Sequence, residues 1–283
     1  MARRDSDPPR ALALLRATFG DAPADADAAL LLARATFRAE EPAACRIALD
    51  AYFARVPADH AALHADWTAE AWVLRGWIEE RAGDNAAARP HYEKALALVP
   101  NYPWALLRLA GTEQAAGDMA AALEHAQAAV RERPGLVEGQ FLLAQLFRRA
   151  GRAEDAERAA RIHRLLNQSD DNTAGTPEAQ AERVAALREL ETLLPCWVEG
   201  RIELIRKLTA AGDAEGALAC ARRLVREFPA LPEGWPLFTE LLRRARGEDA
   251  ARAELAADLA AQAAIPAEVR AILERIVAQG FPK

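Results

Sequence analysis

Residues 69–102 have the sequence AEAWVLRGWIEERAGDNAAARPHYEKALALVPNY, and the glycine in the middle of this stretch recurs along the chain. The recurrence keeps an interval of 34 residues, and prolines repeat at the same interval. The repeated residues are Gly83, Gly117 and Gly151, with Pro100 and Pro134. A period of this length is typical of stacked helical hairpins, each of which buries its apolar face against its neighbours. The stretch therefore predicts a repeat array that presents a long surface to a partner.

The composition of the 283-residue chain favours the same architecture. Hydrophobic residues make up 52% of the chain but aromatic residues only 6%, because most of the apolar content is alanine and leucine. These residues suit closely packed helices better than strands, so we predict an all-α protein. The formal net charge is -6, which disfavours nucleic acid as a partner because phosphate binding requires a basic surface.

The compartment is predicted from the apolar stretch near the start and from the cysteines. Residues 11–19 are apolar but contain Arg16, so we expect neither a signal sequence nor a membrane-spanning helix. Cys45, Cys196 and Cys220 are unevenly spaced and form no CxxC pair, which argues against a disulfide framework or a zinc site. We therefore predict a cytoplasmic protein that does not bind membranes and whose cysteines fill small spaces in the core.

One cluster of polar side chains resembles a metal site. His60 and His64 are one helical turn apart and Asp66 follows, but the glutamate of a zinc protease motif is missing between the two histidines. Phosphate-binding glycine loops, nucleophile elbows and kinase motifs are also missing from the sequence. We therefore predict a non-enzyme with no catalytic residue, no metal and no cofactor.

Residues 69–102 resemble the tetratricopeptide repeat, a family of helical hairpins with large and small residues at fixed positions. The matching residues are Trp72, Gly76, Ala88, Tyr92, Ala95 and Pro100, whereas Glu79 replaces the usual tyrosine at the eleventh position. We expect Gly76 and Ala88 to be small because the two helices of the pair cross there, and Gly83 with Asp84 to form the turn between them.

The resemblance implies a right-handed α-α superhelix of antiparallel helix pairs. The spacing of the repeated residues is interrupted near residues 168–196, so the regular succession of helix pairs is expected to break there. There Thr176, Pro177 and Glu178 supply an N-cap, a first-turn proline and an early carboxylate for a helix to Leu194. This helix has no partner in the repeat, so we expect the superhelix to change direction. The predicted organisation is an N-terminal capping segment at 1–25, an array at 26–168 with units at about 26–59, 69–102, 103–136 and 137–168, a polar loop and extra helix at 169–196, further units at 197–264 and a capping helix at 265–283.

The resemblance also implies a ligand groove, since the first helix of each pair lines the inner face of such arrays. The side chains at the corresponding repeat positions are mainly arginine and aromatic residues. They are Arg34, Phe37, Arg38, Trp77, Arg81, Trp104, Leu107, Arg108, Phe141, Gln145, Arg148 and Arg149. These residues predict a basic, aromatic-lined groove, although the same arginines could form a solvated helix face and the two tryptophans could belong to the core.

The groove predicts a scaffold or adaptor that binds a protein or peptide partner. Guanidinium groups suit a partner segment that is acidic or ends in a free carboxylate. The asparagines of the family's dicarboxylate clamp are missing at the matching positions, where Leu74, Trp77, Arg108 and Gly111 stand instead. Two alternatives stay open, namely a targeting or regulatory portion of a modular transferase or oxygenase, and a self-assembling module. We expect a monomer or a weak homo-oligomer.

Overall fold

The computed structural model consists of helices joined by short turns, with no strand in the residues that it describes. The described residues are 8–57, 64–170, 176–262 and 264–281. The predicted all-α fold is therefore confirmed. His60, from the cluster that resembles a metal site, and most of the predicted polar loop, residues 171–175, lie outside the described residues.

The chain divides into two compact units, residues 1–160 and residues 161–283. Unit 1 contains α1 (Pro8–Phe19), α2 (Ala26–Arg38), α3 (Pro42–Arg55), α4 (Ala65–Arg81), α5 (Asn85–Leu98), α6 (Pro103–Ala116), α7 (Met119–Glu132) and α8 (Val137–Arg149). Unit 2 contains α10 (Pro177–Leu193), α11 (Val198–Ala210), α12 (Ala214–Glu227), α13 (Gly234–Arg246), α14 (Glu248–Ala261) and α15 (Ala267–Gln279). The helix α9 (Ala153–Asp170) contains the division.

The recurrent Gly-Asp pair forms the turn inside a hairpin. Gly83 follows α4 with a φ of +83°, a left-handed conformation that glycine adopts without steric cost. The next residue, Asp84, caps α5, since its carboxylate accepts a hydrogen bond from the Ala87 backbone N–H at 2.8 Å. The same cap recurs where Asp118 accepts from Ala121 at 3.1 Å and where Asp213 accepts from Gly216 at 2.9 Å. One local signal thus begins the second helix of three hairpins.

Close packing between α4 and α5 depends on a glycine. A Cβ atom added to Gly76 would lie 2.3 Å from Cε1 of Tyr92, whose side chain is fully buried. Ala88 is also fully buried in the same core cluster as Tyr92. Gly76 and Ala88 therefore leave the space that the Tyr92 ring fills between the two helices.

In unit 1 each helix from α1 to α7 packs against the next helix along the chain. The first helices of successive pairs also contact one another, α2 with α4, α4 with α6, and α6 with α8. Side chains of α2, α4 and α6 that point away from the second helices therefore share one continuous surface. This arrangement places residues that are about 34 apart in sequence beside one another.

In unit 2 each helix from α10 to α14 packs against the next one. Before this series, α9 continues to Asp170 and so extends beyond Gln168, where the last repeat unit of the first array was predicted to end. Its polar end stays helical because buried Leu165 and Leu166 anchor the last turns. Ser169 Oγ also donates to the Leu166 carbonyl at 2.9 Å.

Candidate functional site

A groove with a volume of about 540 Å³ lies on the shared surface of the first helices in unit 1. We call it the inner groove. It is lined by Arg34, Phe37, Arg38, Glu70, Val73, Leu74, Trp77, Tyr102, Trp104, Arg108, Arg133 and Glu138. The lining comes from α2, α4 and α6, together with the residues just after α7 and at the start of α8.

Aromatic rings form one part of the inner groove. The Phe37 ring meets the Trp77 ring edge to face, with ring centroids 4.7 Å apart. Trp77 is only 6% exposed, so most of its indole belongs to the core. Trp104 is half-buried and carries the Arg133 guanidinium 5.7 Å from its ring centroid. The accessible indole of the groove is therefore that of Trp104, which can cover an apolar or cationic side chain.

Two of the groove arginines are neutralised by carboxylates of the neighbouring repeat. Arg34 donates from Nε and Nη2 to the two carboxylate oxygens of Glu70, at 2.9 and 2.5 Å. Arg108 Nη1 lies 3.5 Å from a carboxylate oxygen of Glu80. Burial raises the pKa of Glu80, and the Arg108 charge opposes that rise. These arginines contribute positioning more than net positive charge.

Two further arginines of the groove have no carboxylate partner within the described part of the chain. Arg38 is exposed in the last turn of α2, and Arg133 follows the end of α7. Four arginines face two glutamates in the lining, so the groove keeps a net positive charge although the chain as a whole is acidic. An unpaired guanidinium offers several N–H donors in one plane, a geometry that matches a carboxylate.

The family model of the tetratricopeptide repeat matches residues 69–112. These residues include Trp77, Tyr102 and Trp104 of the inner groove and most of the hairpin formed by α4 and α5. Over these residues the chain resembles the tetratricopeptide repeat family. The predicted resemblance is thereby confirmed, and it explains why the groove-lining helices repeat at the interval read from the sequence.

Solved structures similar to this chain share little of its sequence. MamA is 17% identical, with a TM-score of 0.43 over 57% of this chain and 90% of MamA. PilW, described as a type IV pilus biogenesis factor, is 16% identical, with a TM-score of 0.41 over 82% of this chain and 90% of PilW. A tetratricopeptide repeat protein from Parabacteroides merdae is 14% identical, with a TM-score of 0.38 over 90% of this chain and 99% of its own. A search of curated protein sequences finds no match.

Half of the predicted groove residues line the inner groove of this repeat protein. They are Arg34, Phe37, Arg38, Trp77, Trp104 and Arg108. Arg81 lies beside the groove, paired with Glu40 at 3.5 Å and 5.8 Å from the ring centroid of Trp77. Leu107 is buried in the core cluster that contains Leu136 and is not part of the lining. The remaining predicted residues lie on α8 outside the lining, namely Phe141, Gln145, Arg148 and Arg149.

Several lining residues were missed from the sequence. Glu70 occupies the second position of its repeat, one of the positions used for the prediction, so the signal for it was present. Arg133 stands between two helices, immediately before a repeat proline, where inner-face positions do not apply. Glu138 also occupies the second position of its repeat, whereas Tyr102 lines the groove from the connection that leads into α6. Residues in such connections can be assigned to the groove only from coordinates.

No group of three or more His, Cys, Asp or Glu side chains in the described ranges is placed to hold a metal ion. His64, a predicted ligand candidate, stacks instead on Trp67 with ring centroids 4.7 Å apart. No described helix combines the length and the apolar character needed to cross a membrane.

Proposed function

We propose that this protein is a non-catalytic, cytoplasmic scaffold whose inner groove binds an extended, acidic segment of a partner protein. Helical repeat arrays are commonly used as extended binding surfaces, which supports the general role. The specific role rests on one observation, the presence of Arg38 and Arg133 without carboxylate partners in the described structure beside the accessible Trp104 ring.

Arg38 and Arg133 differ from Arg34 because their guanidinium groups can still accept a carboxylate partner. Arg34 already fills both oxygens of Glu70, so a ligand carboxylate gains little from it. Arg38 and Arg133 need no such bond to be broken before they bind a ligand. A carboxylate held by a free guanidinium forms charge-assisted hydrogen bonds, which are about twice as strong as neutral ones.

The indole of Trp104 supplies the second part of the recognition. A large side chain of the partner segment, leucine or phenylalanine, would pack on this ring while flanking carboxylates approach Arg38 and Arg133. Aromatic anchors of this kind dominate the binding energy of many interfaces, and peripheral charges mainly guide the approach. The favoured ligand is therefore a short segment with one large apolar residue between aspartates or glutamates.

Fluorescence anisotropy with synthetic peptides tests this proposal. The peptides carry a central leucine or phenylalanine flanked by Asp or Glu, and each has a counterpart with Asn or Gln in the same places. A further arm compares a free C-terminal carboxylate with an amide, because either source of carboxylate fits the two arginines. We expect acidic peptides to bind, and to bind more weakly as salt screens the charges.

Variants then assign the binding to the inner groove. Trp104→Ala should weaken binding by about tenfold or more, and Arg38→Ser with Arg133→Ser by about tenfold together. The matched control is Arg131→Ser, an exposed arginine on α7 that is not in the lining. The proposal would be contradicted if the Asn or Gln peptides bound as tightly as the acidic ones. An equal loss of binding with Arg131→Ser would also contradict it.

A further inference from the structure

The first described helix of the chain has an exposed apolar face. Leu12 of α1 is buried in the core of unit 1, but Leu14 of the same helix is 69% exposed. Arg10 lies one turn before Leu14 and is also exposed. Within the described residues Arg10 has no ion-pair partner, so the outer face of α1 presents one large aliphatic side chain and one free cation.

The last described helix has the corresponding feature with the opposite charge. Ile272 of α15 is 57% exposed, and Glu268, one turn before it, is exposed as well. No cation among the described residues pairs with Glu268. Helices α1 and α15 therefore each have a charged residue at position i and an aliphatic residue at position i+4, and the two charges are opposite.

Ile272 stands at the edge of an apolar groove of about 370 Å³, which we call the end groove. Most of its lining is apolar and comes from α13 and α15, which both pack on α14. The lining consists of Pro232, Trp235, Pro236, Thr239, Glu240, Arg243, Val269, Ile272, Leu273, Ile276 and Phe281. Its two charged residues, Glu240 and Arg243, form a salt bridge with each other, with Nη2 of Arg243 3.0 Å from Oε2 of Glu240. The end groove therefore favours an aliphatic occupant over a charged one.

We propose that the end groove binds helix α1 of a second copy of this chain, with Leu14 packed beside Ile272 and Arg10 paired with Glu268. Because Arg10 precedes Leu14 and Glu268 precedes Ile272, the two contacts form together when α1 runs parallel to α15. An exposed aliphatic side chain beside an apolar groove is typical of an interaction surface.

The proposed interface joins two different surfaces, so it is heterologous. One copy contributes α1 and the other contributes the end groove, and each copy keeps one unused surface of the opposite kind. Such contacts continue from copy to copy unless a ring closes. This property separates the proposal from a symmetric dimer, and the inner groove takes no part in it.

Sedimentation velocity over a concentration series tests the proposal with the full chain. The unmodified protein should form larger species as its concentration rises. Leu14→Asp and Ile272→Asp should each weaken self-association by about tenfold or more, because each removes one buried aliphatic contact. The matched control is Ile47→Asp, an isoleucine that is 48% exposed on α3, a helix that belongs to neither surface.

Mixing the two variants gives the decisive result. The Leu14→Asp chain keeps an intact end groove and the Ile272→Asp chain keeps an intact α1, so an equimolar mixture should form one-to-one pairs and nothing larger. Arg10→Glu alone should weaken assembly, and adding Glu268→Arg should restore it. A monomeric unmodified protein at every concentration, a mixture that stays monomeric, or an equal loss with Ile47→Asp would overturn the proposal.

Discussion

Replacing Gly76 with alanine should destabilise the hairpin formed by α4 and α5. The added Cβ would lie 2.3 Å from Cε1 and 2.6 Å from Cζ of the Tyr92 ring. The ring has little room to move away because Tyr92 is completely buried. Overpacking of a tight core costs about 1–3 kcal/mol, whereas alanine in place of a helical glycine contributes about 1 kcal/mol of stability.

The expected net change for Gly76→Ala is a loss of up to about 2 kcal/mol in the free energy of unfolding. Gly111 supplies the matched control, because it also lies inside a helix, α6, but a Cβ added there would meet no atom within 4 Å. Gly111→Ala should therefore raise the free energy of unfolding by about 1 kcal/mol. The same chemical change thus has opposite signs at two positions of one repeat array.

Urea unfolding followed by circular dichroism measures both variants against the unmodified chain. A third variant, Gly76→Ala combined with Tyr92→Leu, should lose less stability than the sum of its single substitutions, because the smaller side chain relieves the overlap. If Gly76→Ala proves as stable as Gly111→Ala, or if the double substitution is additive, then close approach of Tyr92 is not the reason for glycine at position 76.

Two further predictions concern charged and titratable side chains. Arg201 is buried and lies 3.2 Å from Glu191 and 2.6 Å from Glu227, while Glu191 also pairs with Arg223 at 3.1 Å. Arg201→Met should therefore cost about 2 kcal/mol by removing one of the two partners of Glu191, and a loss below about 1 kcal/mol in urea unfolding would contradict this. Burial, with a smaller contribution from Lys94, lowers the pKa of His91 below its usual 6.5. The unfolded chain therefore binds this proton more readily, so stability should fall as the pH drops below 6.5, and His91→Phe should make the fall of the thermal midpoint shallower. An unchanged pH profile in that variant would show that other groups cause the fall.

The placement of candidate site residues was predictable where the repeat position determines the direction of a side chain. Arg34 and Arg108 occupy inner-face positions in their first helices, and both line the inner groove. Their charge state was not predictable, because Glu70 is 36 residues from Arg34 and meets it only when α2 packs on α4. The groove therefore carries less net positive charge than the number of its arginines suggests.

The burial of the two groove tryptophans was also not predictable from their repeat positions. Both Trp77 and Trp104 stand at inner-face positions, yet Trp77 is nearly all buried and Trp104 is half exposed. The difference arises because the Phe37 ring of the preceding first helix covers the Trp77 indole. Contacts of this kind depend on side chains from another repeat, so periodicity within one repeat does not report them.

The sequence by itself determined the helical class, the period of the array and the positions of its turns. These features depend on interactions within a few residues, such as the left-handed Gly83 and the Asp84 cap of the next helix. Only the tertiary structure decided which arginines have partners, which indole a ligand can reach and which outer faces remain apolar. Those properties depend on packing between helices that are distant in sequence, where the burial of one side chain is determined by the size and charge of another.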